Sequence, residues 1–442
     1  MIIRLLFILL LIYLFPKTVF SQEKMSGHGG PVKGLTISPD GLKLVSTSFD
    51  YSSLIWSLED MSQLNSLTDH NAAVNKAKFS PDQKKLITIS DDMRVLVYNF
   101  ENLSNHSIEN LEYFELGSHQ GKVSDVKFSF DGELLATSGW DGQIMIWDMI
   151  KEKLIYKTSA GHRGSINAIQ FSKDKKYIYS AGSDGTIRKL DIFKQESDGI
   201  MVSKGWGVNV FHIDEERSLL TFGTTDGAFI IYDIENDIEK LKLGDERSPV
   251  LSLTTNNKGS IIALGNSEGR VVIIDLENLS LVRDFRAAYG PVWALALNSD
   301  ASMLFAGGLD DYINQWDLVT YPQPVIVPPG PARRFNPGAN TENGEKQFAR
   351  KCSVCHTLIA DGKNRAGPTL YKIFGRKAGT LEGYKYSKAL LDSEIVWDEK
   401  TIHRLFTEGP DVVLPGTKMP IQRMKNSKDR VDLVNFLKIS TE

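Results

Sequence analysis

The chain has 442 residues, a net charge of −4 and only two cysteines. That net charge hides an asymmetry: from residue 340 onward Lys and Arg exceed Asp and Glu by 18 to 13, a balance of +5, whereas residues 22–339 carry 31 basic against 42 acidic residues, a balance of −11. An acidic majority excludes nucleic acid as the partner, and two cysteines spent on anything else leave no disulfide to form.

Arg4 precedes an apolar run over residues 5–15, and Val19, Phe20 and Ser21 supply a small-residue cleavage context, so residues 1–21 read as a secretory signal peptide. Pro16 and Lys17 break the run too early for a comfortable span. Membrane attachment is expected only if the segment stays uncleaved. An Arg- and Ser-rich amphipathic presequence is not what this stretch looks like.

The next three hundred residues repeat. Turn acids at Asp50, Asp92, Asp141, Asp184, Asp226, Glu268 and Asp310 are spaced by 42, 49, 43, 42, 42 and 42 residues. Six residues after each stands Trp56, Tyr98, Trp147, Leu190, Tyr232, Ile274 or Trp316, usually with an aspartate following. Short alternating runs such as Gln143 to Trp147 predict strands, and Ser38-Pro39-Asp40-Gly41 predicts a turn between them. This period with a terminal Trp-Asp resembles the WD-repeat family, whose units are four-stranded propeller blades. Seven copies imply a seven-bladed ring. In the first four the resemblance extends to a buried polar set: His28, Ser46, Asp50 and Trp56; His70, Thr88, Asp92 and Tyr98; His119, Thr137, Asp141 and Trp147; and His162, Ser180 and Asp184. These histidines recur at one point of the repeat, which makes them structural rather than metal ligands. Blades five to seven lack them; Trp206 and Phe222 stand at such positions in the fifth, where apolar packing takes over. The last strand of the seventh blade comes either from residues 22–26 or from the start of the following linker.

Extra residues between the second and third turn acids predict a longer loop over residues 102–115, including His106 and two glycosylation-type tripeptides at Asn102 and Asn105. Such an insertion is either a binding loop or a tolerated surface excursion. Residues 321–340 hold Pro322, Pro324, Pro328, Pro329, Pro331 and Pro337, a semi-rigid extended linker.

Beyond it lies Cys352-Ser353-Val354-Cys355-His356. Two thiols at this spacing can add to the two vinyl groups on one porphyrin edge, and the adjoining imidazole can then bind iron, so the motif predicts one covalently bound haem c. A zinc site would need further ligands, and a redox dithiol has no use for the fixed histidine. For the second axial ligand, Met419 lies in a Pro/Gly-punctuated loop, whereas its competitor Met424 sits among Arg423, Lys425 and Asn426.

The segment from Gly344 to the C-terminus resembles the class I, mitochondrial-type cytochromes c. The resemblance implies an N-terminal helix carrying Gly344 and Phe348, packed on a C-terminal helix through residues 430–438. It implies that the Pro368 carbonyl orients His356, and that Arg376, Tyr386 and Trp397 surround the haem propionates. Tyr384 is equally a surface aromatic, and His403 a structural residue on a helix with Leu405 and Phe406. A His/Met-ligated iron has a raised potential and no open coordination position, which favours electron transfer over catalysis.

The expected fold class is therefore multidomain: an all-β seven-bladed WD-repeat propeller over residues 22–320, the linker, and a small all-α class I cytochrome c domain over residues 341–442. The expected function is single-electron transfer in a bacterial periplasm, with the propeller as a protein-docking scaffold. Lys351, Lys363, Lys377, Lys385 and Lys418 either steer a redox partner with an acidic patch or are ordinary solvated surface. The alternatives are a haem-dependent oxidoreductase, or a redox sensor or assembly factor, whose propeller carries the active or effector site. An enzyme should then show polar groups converging in the propeller channel.

Overall fold

The computed structural model describes residues 24–100, 111–244, 248–319, 341–353, 355–360, 367–384, 386–415, 417, 419 and 422–441. Residues 1–23, which include the expected signal peptide, the tripeptides with His106, the proline-rich linker and Lys363, Lys385 and Lys418 lie outside the described residues. Tyr113 to Glu115, expected in the insertion loop, already belong to the strand Tyr113–Ser118.

Among the described residues, twenty-eight strands form seven four-stranded antiparallel sheets. The innermost strands are Val32–Ile37, Val74–Phe79, Val123–Phe128, Ile166–Phe171, Val208–Asp214, Val250–Thr255 and Val292–Leu297. Each opens on a buried Val or Ile, a β-branched residue suited to a pleated, packed surface. In every blade the pairing with the next strand then shifts register within two residues. Such a bulge sharpens the twist of a strand, and its recurrence gives each inner strand the same geometry. The first and last inner strands touch, so the ring closes.

Closure uses the N-terminus. The strand Lys24–Ser26 pairs with the last strand of the seventh blade, Lys24 opposite Asn314 and Ser26 opposite Tyr312. Of the two sources left open by the sequence, residues 24–26 rather than the start of the linker supply this strand. Met25, 3% exposed, packs in one cluster with Val32 and Trp56 of the first blade and Phe305 and Ile313 of the seventh.

The polar sets of the first four blades form around their expected His–Asp pairs, although in the second the Tyr98 hydroxyl turns to Asp69 outside the set. In the first, the Asp50 carboxylate can only accept, so His28 Nδ1 donates to it (3.0 Å), leaving Nε2 to accept from the Ser46 hydroxyl (2.7 Å), whose oxygen takes the Trp56 indole N–H (2.8 Å). His119 repeats the arrangement with Asp141, Thr137 and Trp147. His70 holds Asp92 and Thr88, while the Tyr98 hydroxyl donates to Asp69 at 3.2 Å. In the fourth blade His162 joins Asp184 and Ser180, and Leu190 fills the tryptophan position. In the fifth blade Phe222 is fully buried as expected, but Trp206 is 60% exposed. It sits in the bend before the inner strand and contributes no core.

The C-terminal domain has five helices among the described residues: α1 Asn343–Lys351, α2 Lys388–Leu391, α3 Glu399–Glu408, α4 Pro410–Val413 and α5 Ser427–Ser440. A capping box of Asp398 and Thr401 starts α3, and Asn426 caps α5. Helix α1 crosses α5 at Gly344, where a Cβ would lie 2.2 Å from the Asp432 carbonyl, so only glycine permits the approach. Phe348 and Phe436 meet beside it with tilted rings 5.7 Å apart. Leu433, Val434 and Leu437 of α5 are buried, as their spacing predicted.

Candidate functional site

Helix α1 ends at Cys352, whose N–H still bonds the Phe348 carbonyl (2.8 Å), and one further turn follows: the Cys355 and His356 N–H groups both return to the Cys352 carbonyl at 3.0 and 2.9 Å. This single turn brings both thiols and the imidazole to one side. All three line one pocket, with Pro368, Arg376, Tyr386, Trp397 and Met419. Met424 does not line it; that side chain is 6% exposed in the domain core.

His356 is held from behind. Its Nδ1 donates to the Pro368 carbonyl at 2.7 Å, which fixes the tautomer with the lone pair on Nε2. Gly367 forms the surface under the ring: a Cβ there would fall 2.2 Å from the imidazole Cε1. The Gly367 N–H also bonds the Cys355 carbonyl (2.9 Å), tying this floor to the cysteine turn.

Arg376 donates to the carbonyls of Tyr371 (3.0 Å) and Thr369 (2.7 Å), so its guanidinium is a fixed, half-buried positive group on the pocket wall. Trp397, 9% exposed, is locked beside it by paired backbone bonds to Gly375 and Arg376. Tyr384 and Tyr386 meet edge to face at 4.7 Å and both line the pocket, so Tyr384 belongs to the site rather than to the open surface. Burial raises both phenols, keeping them neutral donors. Burial likewise pushes the Cys352 thiol up to about 12 and the Cys355 thiol up to about 11. Lys351 and Lys377 lie at the pocket edge, Lys377 paired with Glu394 at 2.9 Å.

One wall residue comes from the propeller. Tyr51, directly after the turn acid Asp50, lines the same pocket. Its backbone is left-handed at φ 72°, where blades three to six use Gly142, Gly185, Gly227 and Gly269. Sequence reasoning missed Tyr51, and of the Gly367-Pro368 step it gave a role only to the proline carbonyl. The glycine at that turn in four other blades was the available signal for the tyrosine.

The residues fit a haem. Two thiols and an oriented imidazole face an apolar hollow walled by Leu405, Phe406 and Leu414, and the buried Ser387 hydroxyl on the same wall has no hydrogen-bond partner among the described residues. A polar-edged, mostly apolar ring would meet that set. Known proteins agree: the cytochrome c profile matches residues 341–440. The cytochrome c of Gibberella zeae is 40% identical over 105 residues, 24% of this chain and 98% of the relative. Those of Nigella damascena (38% over 105 residues, 94% of the relative) and Arabidopsis thaliana (39% over 103 residues, 91% of the relative) match 24% and 23% of this chain.

Through this domain the chain belongs to the cytochrome c family.

The cytochrome c domain thus carries covalently bound haem c with its iron, and its chemistry is haem-based electron transfer. The WD domain, G-beta repeat, profile matches residues 20–57, 61–99, 112–148, 153–190 and 279–317. The unmatched stretch between them holds the fifth and sixth blades, which lack both the histidine and the tryptophan. The cytochrome c domain implies a redox partner, and beside it the propeller is a WD-repeat scaffold for protein contacts. Among the described residues no cluster of three His, Cys, Asp or Glu side chains forms a metal site, and no helix is long and apolar enough to cross a membrane.

Proposed function

We propose that this protein is a monohaem electron carrier of a bacterial periplasm, its iron held by His356 and Met419 and its propeller docking the redox partner. The observation that carries this reading is the convergence of Cys352, Cys355, His356 and Met419 on one pocket, with Met424 withdrawn into the core. Bound there, the haem supplies a one-electron Fe(III)/Fe(II) couple. The chain's own residues do the rest: Pro368 orients the imidazole, and the Thr417 hydroxyl holds the Met419 backbone N–H at 3.2 Å. Arg376, Tyr386 and Trp397 furnish a charged and polar-tipped wall for the propionates. Export is supported by the leader-like residues 1–21. Steering of an acidic partner is supported by the basic balance of the domain and by Lys351 and Lys377 at the pocket edge.

Visible spectra of the holoprotein in both oxidation states, with and without carbon monoxide, test the ligand set. The wild type should be low-spin and refuse carbon monoxide. Met419→Ala should keep its haem attached yet bind the gas, whereas Met424→Ala should lose about 2–5 kcal/mol of stability with the spectrum unchanged. The reverse pattern would assign the ligand to Met424. Fractionation of a bacterial host tests the compartment: a cytoplasmic holoprotein would sink it.

The second reading, an active or effector site in the propeller, is favoured by one observation. Polar groups do converge in the channel.

A further inference from the structure

The inner strands enclose a channel cavity of about 570 Å³. The fifth residue of each lies at one register position and lines the cavity: Thr36, Lys78, Lys127, Gln170, His212 and Thr254, with Ala296 completing the ring. Lys76 and Asp125 occupy the level two residues earlier and Lys33 the level before that. Four ammonium groups thus face a single carboxylate, inside a body whose overall balance is strongly acidic.

That carboxylate is committed. Asp125, 2% exposed, pairs with Lys76 at 2.9 Å and accepts the Ile169 N–H at 3.0 Å. Lys33 lies over the rings of Phe49 and Trp293. The Lys78 and Lys127 ammonium groups form no ion pair or hydrogen bond among the described residues. Adjacent ammoniums in a partly desolvated hole repel each other and cost free energy unless an anion joins them. Consistently, burial, aided by Lys127 and Lys76 against Asp125, pulls Lys78 down to about 8.

We propose that this channel binds a small, multiply charged oxyanion of the phosphate or sulfate class, with Lys78 and Lys127 as charged donors and the Thr36 and Thr254 hydroxyls as neutral ones, the Gln170 amide being engaged with the Ile213 backbone. The closed ring admits a small ion rather than a polymer, and the acidic body around it disfavours a polyanion. Residues of the turns after the inner strands, among them Pro39, Pro81 and Phe130, line the mouth. That mouth opens at the end of the blades opposite the turn acids and Tyr51, so anion and redox partner need not compete. The site stands independently of how the iron is ligated.

Isothermal titration of the full-length holoprotein with inorganic phosphate, in a zwitterionic buffer of low ionic strength, tests the proposal. The expected result is a saturable isotherm at one anion per chain, competed by sulfate but not by chloride at equal ionic strength. Lys78→Met/Lys127→Met should weaken it at least about tenfold with the haem spectrum unchanged. Should that variant fail to fold, Thr254→Val, which leaves every charge and the volume in place, should still weaken binding several-fold. Absence of saturation in the wild type, equal competition by chloride, or undiminished affinity in whichever variant folds would overturn the proposal.

Discussion

His356 Nδ1 donates to the carbonyl of Pro368 at 2.7 Å, and the residue that makes room for this bond is Gly367. The Gly367 φ is not left-handed, so packing alone demands glycine there. Gly367→Ala must push the imidazole off its floor and break the Pro368 bond. The expected outcome is a haem still attached through both cysteines, a changed spectrum, and a loss of about 1–3 kcal/mol from overpacking. An alanine variant with wild-type spectrum and melting temperature would show that the ring has another support.

The His–Asp pairs of the first four blades set a lower pH limit for the propeller. Burial alone pushes the carboxyls of Asp50, Asp92, Asp141 and Asp184 up, but the histidine and neighbouring backbone N–H donors outweigh it and hold all four below the usual carboxylate range, Asp184 at about 2. A depressed folded pKa contributes stability that is fully present above the unfolded value of about 4 and is lost as pH falls through the folded one. Thermal melts should therefore hold steady down to about pH 4 and fall steeply between about pH 4 and 2. Asp184→Asn should flatten that fall and cost about 1–3 kcal/mol at neutral pH. A variant with the full acid slope would place the effect elsewhere.

Much of this was legible because WD repeats write their turns into the chain: the acids from Asp50 to Asp310 located all seven blades, even the fifth and sixth, where Tyr232 and Ile274 replace the tryptophan and no histidine remains. The haem attachment residues are contiguous, so they too could be read locally. Pro368, Arg376 and Trp397 needed the family resemblance, since nothing in their immediate neighbourhood marks them. The channel ring was invisible, because Lys78, Lys127 and His212 come from the second, third and fifth blades and meet only when register and ring closure are known. Tyr51 was hidden for a related reason: its role lies in a pocket built by residues three hundred positions away.

Met25 carries the ring closure. It joins the first and seventh blades across the one sheet, among the described residues, whose strands come from both ends of the propeller. Met25→Asp buries an unpaired carboxylate among Val32, Trp56 and Ile313, which should open the ring. The expected readout is a drop of several degrees in the propeller melting transition and rapid proteolysis at residues 24–31, while Met25→Leu stays within about 1.5 kcal/mol of wild type. Resistance of the aspartate variant to protease would mean that closure rests on the inner strands alone.

Tyr51 gives the propeller a hand in access to the haem. A bulky side chain in the left-handed region costs about 1 kcal/mol or more, and this position is glycine in blades three to six. What the tyrosine gains is its place on the pocket wall beside Cys355 and Tyr384. Tyr51→Gly should therefore leave the propeller as stable as before, or raise it by about 1 kcal/mol, while exposing the haem edge. Stopped-flow reduction by a small diffusible reductant should then be faster by several-fold, with the equilibrium spectrum unchanged. An unchanged rate would show that Tyr51 does not restrict that edge in solution, and that electrons enter the pocket by another wall.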